Sequence, residues 1–161
     1  MLLYRIVHKK YSHSLFASGM RGRWNSGGNK VIYCAESIAL AFLESMIRRQ
    51  GVGFNKDFKI MILNVPPKGR ITIINISDLE KGWRDFNDYS KCQAPGDKWY
   101  NEQKSLLLKV PSAVLPESSN YVINTMHPDY KKVKLIEVTD LIPDERIEDI
   151  LKNIQKNKNI F

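Results

Sequence analysis

An α+β fold, one domain built mainly from antiparallel strands with a few helices, is the class this sequence predicts. Three observations carry it. Short apolar, partly β-branched runs recur along the chain with turn residues between them. One run, ESIALAFLESMIRRQG, has the composition and both ends of a helix. The tail DERIEDILKNIQKN places Ile147, Ile150, Leu151 and Ile154 at helical spacing, an amphipathic helix over about 143–157.

In chain order, LLYRIVH predicts a strand, and SHSLFASG after it a polar loop of small residues. Past the Gly27-Gly28 turn, VIYCA (31–35) is a short buried strand. Ser37 is the expected N-cap of the Ala- and Leu-rich helix, with Arg48 and Arg49 suited to its C-terminal turn and Gly51 closing it. FKIMILNV (58–65) and RITIINIS (70–77) are strand-like runs joined by Pro-Pro-Lys-Gly, a turn signal. Ser77-Asp-Leu-Glu80 has capping-box spacing and predicts a short helix over SDLEKGW. GDKWYNEQK is either helix or loop. LLLKV (106–110), ending at Pro111, NYVIN (120–124) and KVKLIEV (132–138) complete the strands. Neither repeat, low-complexity tract nor linker interrupts the chain, so residues 1–161 form one expected domain.

A chain of 161 residues can bury one core, and 43% hydrophobic with 26% charged residues describes a globular protein rather than a disordered one. No apolar run approaches the roughly 20 residues needed to span a bilayer. Arg5 interrupts the N-terminal apolar stretch before it reaches signal-peptide length, so a cytoplasmic location is expected. Cys34 and Cys92 form no Cys-x-x-Cys pair and suit a reducing compartment. The net charge of +8 asks for an anionic partner: nucleic acid, a phosphorylated metabolite or an acidic protein. The cations are spread along the chain, so charge alone does not choose.

Familiar catalytic patterns are missing. His8, His13 and His127 are scattered, and no Cys/His cluster has metal-ligand spacing. There is no phosphate-binding glycine motif of the P-loop or dinucleotide type, and no G-x-S-x-G elbow. Four residues remain as candidates, each with an ordinary alternative. Glu44 lies on the helix beside Leu40 and Ile47, where a carboxylate is partly buried and fixed in direction; the alternative is a plain i,i+4 pair with Arg48. Arg23 offers a planar fork matched to phosphate, or is a solvated loop cation. Tyr33 is a ligand-facing aromatic or a core aromatic with one hydroxyl partner. Ser112 after Pro111 is a site hydroxyl or a turn residue.

Taken together, GRWNSGGNKVIYCAESIALAFLE and GDKWYNEQKSLLLKVPSAVLPESSNYVINTMHP resemble the RES-domain family of bacterial toxin–antitoxin systems, over roughly residues 2–141. The most specific segments are Arg-Trp-Asn with its following glycine, Ala-Phe-Leu-Glu, Val-Pro-Ser-Ala-Val, and Asn-Tyr-Val-Ile-Asn before His-Pro-Asp. The family's arginine, glutamate and serine fall on Arg23, Glu44 and Ser112, and its strand tyrosine on Tyr33. Ser26 departs from the family pattern, which usually has proline there; a slightly looser loop is expected. Arg21 is an extra cation without an assigned role.

The resemblance implies a fold like that of ADP-ribosyltransferases, NAD as substrate rather than a bound cofactor, no metal, and inhibition by a cognate Xre-type antitoxin. Direct nucleic-acid binding is not expected except through that partner, and homodimer or hetero-oligomer both stay open. On this basis Glu44 opposes the oxocarbenium charge that develops as the nicotinamide–ribose bond breaks. Arg23 holds the pyrophosphate or adjacent ribose, Tyr33 stacks on a ring of NAD, and Ser112 orients the nicotinamide or its ribose. Arg5, Trp24, Asn25 and Asn124 are the further expected substrate contacts. The nicotinamide of NAD is cationic and departs neutral, so no strong general acid is required. Water, phosphate and a protein side chain all remain open as acceptor. Two rivals are a non-enzymatic basic domain binding nucleic acid, which should show clustered cations among exposed aromatics, and an RNA-cleaving toxin.

Overall fold

The computed structural model describes residues 1–49, 54, 56–66 and 71–158. Seven strands form one mostly antiparallel sheet: β1 (Leu2–His8), β2 (Val31–Ala35), β3 (Phe58–Asn64), β4 (Ile71–Ile73), β5 (Leu107–Pro111), β6 (Ser119–Asn124) and β7 (Lys134–Asp140), in the order β4-β5-β6-β2-β1-β3-β7. Among the described residues three α-helices accompany it: α1 (Ile38–Arg48), α2 (Ser90–Glu102) and α3 (Glu145–Lys158). The predicted α+β class holds.

The sheet has two well-paired parts. β1 runs beside β3 over seven residue pairs, and β2 beside β6 over five. Between the two parts, β1 meets β2 at one pair, Tyr4 opposite Ala35. Directly paired residues point to the same side of a sheet, so alternation sorts the side chains. One face carries Leu3, Val7, Ile32, Cys34, Met61, Leu63, Leu107 and Ile123 in one apolar cluster. On the other face α1 covers Ile6 and Ala35 through Leu40 and Ala41. α2 covers Leu108, Val110 and Val122 through Cys92 and Trp99.

Each helix has a local cause. Ser37 caps α1, its side chain accepting the Leu40 N–H at 3.1 Å as expected. Gly51, the expected closing residue, lies outside the described residues. α2 takes residues 96–102 of GDKWYNEQK as helix and ends at a left-handed Gln103, although Pro95 inside it removes an N–H from the ladder. The next residue shows what the helix gains: a Cβ on Gly96 would stand 2.0 Å from the Trp24 carbonyl oxygen, so only glycine lets α2 pack against the loop before β2. Trp99 and Cys92 are buried on the same helix.

β3 and β4 lie in different parts of the sheet, and β4 pairs in parallel with β5. Three expectations need correction. RITIINIS is only briefly a strand, and a 3-10 turn, Ile76–Asp78, follows it. The capping box there uses Asn75 and Asp78 rather than Ser77 and Glu80. In α3 Leu151 is buried, whereas Ile150 is exposed, so the apolar stripe is narrower than its spacing implied.

Candidate active site

Glu44 projects from the middle of α1, and its carboxylate is held from the sheet. Oε1 accepts the Ser112 hydroxyl at 2.7 Å and the Asn120 Nδ2 at 2.5 Å. Ser112 sits just past β5 and is fully buried. Its oxygen accepts the backbone N–H groups of Val114 at 3.1 Å and Leu115 at 2.9 Å, which directs its one proton at Glu44. Asn120 lies in β6 opposite Ala35. Among the described residues Glu44 makes no ion pair with Arg48, so the plain helix-surface pair is not what holds it.

Arg23 is held differently. Nη1 donates to the carbonyls of Trp83 at 2.6 Å and Asp85 at 3.1 Å, and Nη2 to that of Arg84 at 3.2 Å. The guanidinium also lies 4.6 Å from the Tyr89 ring centroid. These partners are neutral, and among the described residues no carboxylate pairs with Arg23, so its charge is oriented without being cancelled. Arg21 stands 5.8 Å from the same ring, which gives that extra cation a place. The two groups are joined through Arg84, whose Nε donates to the Ala113 carbonyl at 2.8 Å, next to Ser112.

The loop between Arg21 and Lys30 is a braced structure rather than a solvated coil. Asn25 is fully buried; its Nδ2 donates to the carbonyls of Met20, Ser26 and Asn29, and its Oδ1 accepts the Tyr33 hydroxyl at 2.8 Å. The Tyr33 oxygen in turn accepts the Trp24 N–H at 2.9 Å. Burial raises the Tyr33 pKa, keeping the phenol neutral. Gly22 fits because a Cβ there would come within 2.7 Å of both Asn25 Oδ1 and the Tyr33 oxygen. Gln93 of α2 ties the loop down by donating to the carbonyls of Gly22 and Asn25.

This geometry revises several expected roles. Trp24 is buried against Trp83 in the core beneath α2. Asn25 has its polar atoms spent inside the loop. Asn124 is fully buried, donating to the Tyr100 carbonyl and accepting the Met126 N–H. All three serve the fold as internal braces. Tyr33 is mostly a brace too, since its hydroxyl serves the loop.

Ser26 does not loosen the loop: its N–H and hydroxyl both bond Asp97 of α2, at 2.8 and 2.5 Å, and Asn29 Nδ2 bonds the same carboxylate at 2.7 Å. Arg5 points to the face of β1 opposite Tyr4, whereas Asn120 shares the Tyr4 and Ala35 row. Arg5 Nη1 donates to the Phe16 carbonyl at 3.2 Å, and burial lowers its pKa. No hydrogen bond links it to Glu44, Ser112 or Asn120.

Four contributors were not singled out from sequence: Asn120, Arg84, Tyr89 and Asp97. Asn120 opens the NYVIN segment and was the most findable, since an asparagine beginning an apolar strand is unusual for a strand residue. Among the described residues no group of three or more His, Cys, Asp or Glu side chains could hold a metal ion, and no helix is long and apolar enough to cross a membrane.

The elements so far define a single α+β domain with an anchored carboxylate on one helix and an oriented, uncancelled arginine on a braced loop. The RES domain family model matches residues 2–147, and the chain belongs to that family. A Toxin Res of Photorhabdus laumondii is 29% identical over 152 residues, which cover 91% of this chain and 97% of that protein. A Prs ADP-ribosylating toxin of a Sphingobium species is 32% identical over 129 residues, 78% of this chain and 80% of that one. The fold is similar to that in the crystal structure of the M. tuberculosis MbcT–MbcA toxin–antitoxin complex, with a TM-score of 0.72 at 19% identity over 92% of this chain and 88% of that chain.

Proposed function

We propose that this protein is the toxin of a toxin–antitoxin pair and that it consumes NAD by cleaving the nicotinamide–ribose bond. The observation that carries the reading is the Glu44 carboxylate, fixed by Ser112 and Asn120 through one oxygen. The C1′–N1 bond breaks, its electron pair leaves with nicotinamide, and positive charge develops on the ribose. Glu44 opposes that charge and accepts a ribose hydroxyl. The acceptor, water or inorganic phosphate, forms the new bond to C1′ and gives up its proton. Arg23, oriented by three carbonyls, supplies the positive charge for the pyrophosphate. Ser112, with its hydroxyl spent on Glu44, acts behind the carboxylate rather than on the nicotinamide.

Names of relatives support the class: the Photorhabdus protein is a Toxin Res, and the M. tuberculosis structure is of a toxin–antitoxin complex. A protein antitoxin, of the Xre type, belongs to the proposal. The second reading, transfer of ADP-ribose to a protein, is favoured by the name of the Sphingobium relative. Incubating the antitoxin-free protein with NAD, with and without phosphate, and identifying products by mass spectrometry separates these. Free ADP-ribose or its 1″-phosphate supports cleavage to a small acceptor, and a mass increase on a protein supports transfer. Intact NAD beside degraded RNA overturns both.

A further inference from the structure

The donors around Glu44 are distributed unevenly, and the inequality is informative. A carboxylate only accepts, so the Asn120 amide must present Nδ2, not Oδ1, to it. The Ser112 proton goes to the same atom, because the serine oxygen is already taken by two backbone N–H groups. Oε1 therefore receives two donors, while Oε2 receives none from the described residues. No buried side-chain nitrogen or oxygen in the described structure lacks a partner, so Oε2 is open to solvent.

The two donors also differ. Ser112 is buried and locked to its own turn. Asn120 is half-buried, on a strand whose backbone is fixed by pairing with Ala35 on one side and Val110 on the other. One donor alone leaves the carboxylate free to swing about its bond to Oε1. Two donors converging from different strands set the plane of the group.

We propose that Asn120 is a positioning residue: with Ser112 it pins Oε1, making Oε2 the oxygen of Glu44 that meets the reacting ribose. This rests on the NAD-cleaving reading above. It goes beyond that reading by dividing the two carboxylate oxygens between anchoring and reaction and by assigning a role to a residue outside the arginine–glutamate–serine set.

The test is a double-mutant cycle on nicotinamide release, with a structural arm that needs no activity. Asn120→Ala should lower kcat by about 10- to 100-fold with KM within about twofold, because the carboxylate is still present but no longer aimed. Asn120→Asp, of the same shape but with an acceptor facing Oε1, should fall at least as far, and it keeps the test alive if the alanine variant folds poorly. In a Glu44→Gln background the same Asn120→Ala change should cost less than about twofold, since its effect runs through the carboxylate. An equal loss in both backgrounds, or a KM rise with kcat unchanged, overturns the proposal; the latter would mean that Asn120 itself meets substrate. In a crystal structure of Asn120→Ala the Glu44 carboxylate should be turned or split between orientations. An unmoved carboxylate overturns the proposal even if the wild type proves inactive on NAD, an outcome that sinks the functional reading separately.

Discussion

Arg84 donates its Nε–H to the Ala113 carbonyl at 2.8 Å, and that one contact joins the turn holding Arg23 to the turn holding Glu44. Arg84 is exposed, so the bond adds only about 1 kcal/mol to stability. Its place matters more, because it ties the backbone that orients Arg23 to the turn that holds Glu44. Arg84→Ala is expected to move the melting temperature by no more than about 4 °C while lowering kcat/KM for NAD about tenfold. Unchanged kinetics would show that the two turns keep their spacing without this clasp.

Glu44→Gln keeps the shape but replaces the charge, and kcat should fall by roughly 10²–10³-fold with the melting curve little changed. Arg48→Ala gives the matching control. Because Arg48 makes no ion pair with Glu44 among the described residues, that variant should turn over NAD near the wild-type rate. The reverse pattern, an active Glu44→Gln and an impaired Arg48→Ala, would return Glu44 to an ordinary helix-surface role.

What could be read from sequence follows the range of the interaction that decides it. The strands LLYRIVH and VIYCA and the Ser37-capped helix were legible because period, β-branching and capping act within a few residues. The helix around Pro95 and Gly96 was not, since both residues disfavour helices locally and the compensation is contact with the Trp24 carbonyl, over seventy positions away by sequence numbering. In the same way, motifs point to Glu44 and Ser112, yet their hydrogen bond spans 68 residues, and the unusual asparagine that opens NYVIN does not by itself say that it joins them. Trp24, Asn25 and Asn124 show the converse. Polar and aromatic residues beside a site resemble ligand contacts in sequence, and only burial shows them to be braces.

Ser26 and Asp97 carry the most direct stability prediction. Asp97 accepts from the Ser26 N–H, the Ser26 hydroxyl and Asn29 Nδ2, all in part-buried positions. Asp97→Ala leaves three donors without their acceptor and releases the loop from α2. Urea unfolding should show a loss of roughly 2–4 kcal/mol. Activity should fall with it, since Arg23 is presented by this loop. A loss below about 0.5 kcal/mol would mean that Gln93 alone holds the loop.

Alkaline pH should destabilise the fold through two buried groups. Burial pushes the Cys34 thiol up to about 12 from an ordinary value near 9, with Arg5 nearby acting in the opposite direction, and burial likewise raises Tyr33. In both cases the folded state keeps a proton that the unfolded chain releases first. Stability is then fully present below about pH 9 and falls as pH rises, by up to about 1.4 kcal/mol per pH unit for each group titrating only in the unfolded chain. Urea midpoints between pH 7.5 and 10.5 should drop accordingly, and Cys34→Ala should flatten the part that begins near pH 9. A midpoint independent of pH over this range would contradict the burial of both groups.

The last prediction concerns how the proposed antitoxin and substrate share one charge. Arg23 is held by three carbonyls and faces no carboxylate among the described residues, and Arg21 stands exposed on the same Tyr89 ring. An oriented positive charge of this kind attracts the pyrophosphate of NAD, and it equally attracts an acidic side chain or C-terminal carboxylate of an inhibitor. The two ligands should therefore compete, each weakening the apparent affinity of the other. Arg23→Ala should weaken both, whereas Arg21→Ala, which removes a cation that takes no part in the carbonyl clasp, should mainly slow the encounter. Raising salt from about 0.05 to 0.3 M shortens the reach of the exposed charges and should reduce the association rate more than it speeds dissociation. Antitoxin binding measured with and without a non-hydrolysable NAD analogue decides the matter. Unchanged antitoxin affinity at saturating analogue would place the inhibitor away from Arg23, and the toxin would then have to be silenced by holding the loop rather than by filling the site.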